Sequence, residues 1–86
     1  MTIKNFRILK QGSNYQIVTN YKEIALYSYG TLIVTENLNT GQIVLDEKFW
    51  NFSNTTAKHR IKFLNESTAE TRKKIESGEY EVKNLN

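Results

Sequence analysis

The apolar periodicity of this chain changes once, and that change limits what it can fold into. Up to Asp46, apolar residues fall in short alternating runs separated by turn-forming clusters. Beyond Trp50 they recur at spacings of three and four. The first pattern is that of a half-buried antiparallel sheet, the second that of amphipathic helices. Both must share one core, because 86 residues leave no room for a second.

Residues 2–10 mix apolar and basic side chains, with Ile3, Phe6, Ile8 and Leu9 as candidates for burial. Gln11-Gly12-Ser13-Asn14 is a turn cluster, and Tyr15 to Thr19 is a β-prone run, so the two segments predict a hairpin. Ile24, Leu26 and Ser28 alternate with Ala25, Tyr27 and Tyr29, which predicts a third strand ended by Gly30. Thr31 to Thr35 predicts a fourth, with Leu32 and Val34 on one face and Ile33 on the other. Gln42 to Asp46 follows the Asn37–Gly41 turn as a fifth.

Ser53-Asn54-Thr55-Thr56 is rich in helix-capping residues, and Ala57, Ile61 and Leu64 then share one face of a helix. By that phase Lys58, Arg60 and Lys62 project elsewhere. Ser67-Thr68-Ala69-Glu70 is a capping-box pattern that predicts a second helix over about 68–77, with Gly78 placed to take positive φ after it. Tyr80 and Val82 offer a last short strand. The expected fold is α+β: an antiparallel sheet of four to five strands over about 2–46, two short helices over about 55–77 and a C-terminal strand over about 79–83. The expected core draws on Phe6, Ile8, Ile17, Ile24, Leu26, Leu32, Val34, Ile43, Leu45, Trp50, Ile61, Leu64 and Ile75.

Composition narrows the function. Cysteine is absent, which excludes disulfides, thiol catalysis and zinc–thiolate sites. One histidine and scattered acids give no metal pattern, and Gly12, Gly30, Gly41 and Gly78 lie too far apart for a phosphate loop. No cofactor is expected. His59 has no cysteine, second histidine or paired carboxylate near it in sequence, so it is expected to pack near the aromatic cluster rather than catalyse. No apolar run approaches the roughly 20 residues of a membrane span, and no apolar stretch follows Met1-Thr2-Ile3-Lys4 as in a signal peptide. A cytoplasmic location is expected.

The net charge is +3, and residues 54–77 hold six basic against three acidic side chains. Lys58, Arg60, Lys62, Arg72, Lys73 and Lys74 make this the most concentrated basic stretch, able to meet phosphates, although exposed lysines are the norm on helices. Tyr27 and Tyr29 share a strand face opposite Leu26 by the period of two, and with nearby Lys4, Arg7, Lys10 and Lys22 they offer a surface for stacking bases or binding protein. With His59, these residues form the candidate binding set. Trp50 is expected to plug the sheet–helix junction.

Tyr29-Gly30-Thr31, Gly41-Gln42-Ile43, the run from Trp50 to His59 and Phe63-Leu64 together resemble a group of short uncharacterised phage and prophage domains. The recognisable part is W-x-F-S-x-T-T-x-K-H leading into a helix, and the resemblance covers roughly residues 27–77. It implies a mobile-element origin, in keeping with ten Asn and nine Lys against three Arg, a bias of AT-rich genomes. It implies no catalytic residues. The expected function is therefore a non-enzymatic, phage-encoded binding protein that inhibits a host defence complex, concretely an anti-CRISPR inhibitor occluding an effector surface. The partner would be a host protein or ribonucleoprotein, with a homodimer left open. The alternative is an accessory or regulatory protein that binds DNA or RNA through the basic helical face.

Overall fold

Each turn cluster read from the sequence closes a hairpin in the computed structural model, which describes residues 5–86. Ile3 and Lys4 lie outside the described residues. Five antiparallel strands follow in order: β1 (Arg7–Gln11), β2 (Tyr15–Thr19), β3 (Glu23–Ser28), β4 (Thr31–Asn37) and β5 (Ile43–Asp46). Helices α1 (Asn54–Leu64) and α2 (Thr68–Glu76) then lead to β6 (Glu81–Lys83), which joins the same sheet beside β5. The fold is α+β, as expected. The last strand makes the sheet mixed, because the chain returns through both helices and β6 runs parallel to β5.

The sheet is covered on both faces. On one, Leu26, Ile33, Val34, Leu45 and Tyr80 are buried together, and Trp50, Phe63, Leu64 and Ile75 pack on them from the helical half. On the other, Val18, Ala25 and Leu32 are closed over by Leu85 from the C-terminal segment, with Tyr27 and Val44 alongside. Asp46 holds that segment in place. Its buried carboxylate accepts hydrogen bonds from the backbone N–H groups of Lys48, Phe49 and Leu85 and from the Asn86 amide. Four donors satisfy a charge that would otherwise be costly to bury.

Two bulges change the expected facing of side chains. Leu26 pairs with Val34 and Tyr27 with Leu32, so Ile33 is an extra residue on β4. Ile33 therefore joins Val34 under the helices, and Leu32 faces the opposite way. A second bulge between Ile8 and Lys10 puts Ile8 opposite Val18 and Lys10 opposite Ile17. Strand β1 is exposed throughout and Phe6, just before it, is 52 % exposed, so Phe6 and Ile8 are not core residues. As the outer strand it contributes to neither buried cluster. Ile24 is half-buried and also belongs to neither.

Helix α1 starts where the sequence places it, with Ser53 accepting from the Thr56 N–H, and ends at Asn65 in the left-handed region (φ 56°). Its rotation is not the expected one. Ile61 is 36 % exposed, whereas Arg60 is 0 % exposed. The buried face runs through Thr56 and Arg60 to Phe63 and Leu64, one residue out of phase with Ala57–Ile61–Leu64. Helix α2 carries the full capping box between Ser67 and Glu70. Among the described residues, no buried side-chain nitrogen or oxygen lacks a hydrogen-bond partner, and no helix is long and apolar enough to cross a membrane.

Candidate functional site

The end of β3 fixes the first two turns of α1. Ser28 is 2 % exposed, and its hydroxyl is shared between Thr56 Oγ1 at 3.1 Å and His59 Nδ1 at 2.9 Å. A serine beside an imidazole resembles a nucleophile–base pair. Here the hydroxyl is buried and also engaged by Thr56, so it anchors the helix to the strand. The anchor sets the His59 ring 4.9 Å from that of Tyr15 and 6.5 Å from that of Tyr29. Tyr15 lies against Gly12, where a Cβ would come within 2.5 Å of the ring, so the turn glycine makes room for the tyrosine.

Helical spacing then puts Lys58, His59, Lys62 and Phe63 along one side of α1. Across from them, the bulged register of β1 directs Lys10 to the Ile17 side of the sheet. These residues enclose a cleft of about 280 Å³ over Tyr15, Ile17 and Leu26. Lys10, Lys58 and Lys62 line it, and no acidic residue does. Burial, and then the charge of Lys62, hold the His59 pKa below its ordinary value of 6.5. The ring is therefore mostly neutral at neutral pH and adds a polar aromatic surface rather than a fourth charge. An aromatic and aliphatic floor rimmed by cations suits a planar anionic ligand.

The other predicted site residues go elsewhere. Arg60 is inside the protein and donates to the Trp50 carbonyl (2.8 Å), Asn51 Oδ1 (3.1 Å), Thr68 Oγ1 (2.9 Å) and Thr71 Oγ1 (3.3 Å). Its guanidinium and that of Arg72 each lie 5.1 Å from the Trp50 ring centroid. Trp50 is thus half-buried at the sheet–helix junction, as expected, and clasped by two arginines. Lys74 is paired with Glu66 at 2.9 Å and lies over the Tyr80 ring. Lys73 is exposed on α2. The basic helical face expected from composition is therefore not a single face. Buried Arg60 and paired Lys74 serve the fold, while Lys58 and Lys62 serve the cleft.

The two tyrosines also separate. Tyr27 is half-buried against Leu32 and Leu85 on the face away from the helices. Tyr29 is not a strand residue. With Gly30 it forms the two-residue β3–β4 turn, both at positive φ (53° and 76°), and it is 60 % exposed at the edge of the His59 cluster. Lys10, Tyr15 and Phe63 complete the site without having been singled out as a group. Their signal was the hairpin register and the i,i+4 spacing of Phe63 from His59.

A family model described as a family of unknown function (DUF8033) matches residues 1–79. The chain belongs to this family. The match takes in every residue that lines the cleft and also the first 26 residues, which the phage-domain resemblance did not reach. It stops short of β6 and the Leu85 lid. Neither the curated proteins nor the solved structures include a significant match. Among the described residues, no three potential metal-ligating side chains converge.

Proposed function

We propose that this protein is a non-catalytic nucleic-acid-binding module that works through the α1–β1 cleft. The convergence of Lys10, Lys58 and Lys62 from two separate elements onto one aromatic-floored cleft carries this reading. Like charges at i,i+4 on a helix cost roughly 0.2–0.5 kcal/mol, and Lys58 and Lys62 stand in that relation. An arrangement that opposes folding, with no carboxylate in its lining, points to a ligand that supplies the negative charge. The test is fluorescence anisotropy on DNA and RNA oligonucleotides across a salt series. Three phosphate contacts give a log–log salt slope of about −2 on single strands. Alanine at Lys10, Lys58 or Lys62 should each lower that slope by about 0.7, and alanine at Lys73 should not. Absence of binding to both polymers at low salt refutes the proposal.

The second reading is the phage-encoded inhibitor of a host defence complex, of which an anti-CRISPR protein is the concrete form. The feature that favours it is the exposed outer strand β1 with the residue before it, where Phe6, Ile8 and Leu9 present apolar surface at a sheet edge that no other described strand covers. A tagged pull-down from host lysate with and without nuclease separates the readings. A stoichiometric protein partner that survives nuclease supports inhibition, and loss of all partners refutes it.

A further inference from the structure

We infer that the cleft holds one unpaired base of a single-stranded nucleic acid, stacked on Tyr15 and His59, with the flanking phosphates on Lys10, Lys58 and Lys62. This rests on the nucleic-acid reading above and adds the form of the ligand. The cleft, at about 280 Å³, lies just below the size range of small-molecule pockets, roughly 300–1,000 Å³, so it suits a small planar group. The faces of a duplex base are covered by its neighbours, so only an unstacked base can lay a face on the rings. A charged surface alone makes the opposite choice, because duplex DNA carries the denser line of phosphates.

Three further observations fit an unpaired base. The three lysines of the lining are exposed, whereas Ile17, Leu26 and Phe63 are half-buried or buried, a pairing of charge with apolar surface that a nucleotide itself has. The Tyr29 ring lies beside His59 at 6.5 Å and is largely exposed, so a neighbouring base has a second ring to rest on. Tyr29 holds this position at positive φ, a conformation rare for a bulky residue. Such outliers gather at binding sites, where the local cost is offset by the contact they enable. No carboxylate lines the cleft to read the amino groups of a base, so stacking should be tolerant of sequence.

The deciding experiment compares wild-type affinity, at one moderate salt concentration, for four ligands of equal length: single-stranded oligothymidylate, oligouridylate, an abasic single strand and a mixed-sequence duplex. Either base-bearing single strand should bind roughly 10-fold more tightly than the abasic strand, the effect of losing one or two stacked bases. It should also exceed the duplex. Tyr15→Leu keeps an apolar side chain over Gly12 and should bring single-strand affinity down to that of the abasic strand. Equal affinity for base-bearing and abasic strands, or a preference for duplex, overturns the inference and leaves the nucleic-acid reading standing. Absence of binding to all four removes both. If Tyr15→Leu does not fold, the wild-type ligand series still decides.

Discussion

Replacing Arg60 with alanine tests whether the interior is built as described. The side chain is wholly buried and makes four hydrogen bonds, all to uncharged acceptors, with the Trp50 ring against its guanidinium. Truncation to alanine leaves a cavity, and large-to-small core changes of this kind cost about 2–5 kcal/mol. It also removes hydrogen bonds from a charged donor, each contributing about 1.5–3 kcal/mol when intact, although water and the rotatable Thr68 and Thr71 hydroxyls recover part of this. A loss of about 4 kcal/mol results. At about 0.05–0.15 kcal/mol per residue, an 86-residue domain has a total of only about 4–13 kcal/mol, so the variant should sit close to unfolding. Arg60→Met retains most of the volume and buries no charge, so it should cost about half as much. Lys58→Ala, made one helical position from the anchored His59, should stay within about 0.5 kcal/mol. Urea titration followed by far-UV circular dichroism and by Trp50 fluorescence measures all three. A loss below about 1 kcal/mol for Arg60→Ala, with an unchanged slope, would show that the guanidinium lies at the surface, where the apolar spacing of α1 had placed it.

Tyr29→Asn puts a residue that accepts positive φ into the two-residue turn, so thermal or urea unfolding should show a gain of about 1 kcal/mol, while single-strand affinity falls. Leu85→Ala uncovers Val18, Ala25 and Leu32 and should cost about 3 kcal/mol by urea titration. Burial pushes the Glu66 carboxyl up, but hydrogen bonds from Thr71, Tyr80 and Lys74 outweigh it and hold its pKa below the ordinary 4.5. Its stabilising contribution is therefore complete above that value and is lost as pH falls through the lowered one. Glu66→Gln should flatten the acid limb of the stability profile, measured by urea midpoints from neutral pH to about pH 3.

Local chemistry made most of the fold legible. The turn clusters, the Ser53 cap and the Ser67–Glu70 capping box are fixed by residues within a few positions of each other, and the structure has them where the sequence puts them. What escaped depended on distant partners. Arg60 is buried because Trp50, Asn51, Thr68 and Thr71 converge on it, and no single one of those positions announces an arginine site. Apolar spacing puts Ala57, Ile61 and Leu64 inside α1, whereas the face that is buried carries Thr56 and Arg60, polar residues to which apolar spacing cannot point. The bulges at Leu9 and Ile33 carry no compositional mark, yet each turns the following residues to the other face. Lys58, His59 and Lys62 were legible as a helical cluster. Lys10 and Tyr15 reached them only through the hairpin register.

The segment from Trp50 to His59 shows which of its residues the fold requires. Trp50 supplies a carbonyl and a ring to Arg60, Ser53 caps α1, and Thr56 and His59 anchor the helix to Ser28. Lys58 has no such duty: it is exposed at the cleft rim, four residues before Lys62. Reversing its charge should therefore separate stability from binding. Lys58→Glu exchanges a repulsive i,i+4 pair with Lys62 for an attractive one in the favourable order, acid first, a gain of about 0.4–1 kcal/mol. The same change places a carboxylate at a cleft whose lining has none and removes one of the three lysines proposed to hold phosphates. Urea unfolding should show a variant as stable as the wild type or more so, while anisotropy shows binding falling by more than Lys58→Ala produces. A variant that loses stability and keeps its affinity would place Lys58 in the service of the fold and remove the ground for reading the cleft as a site.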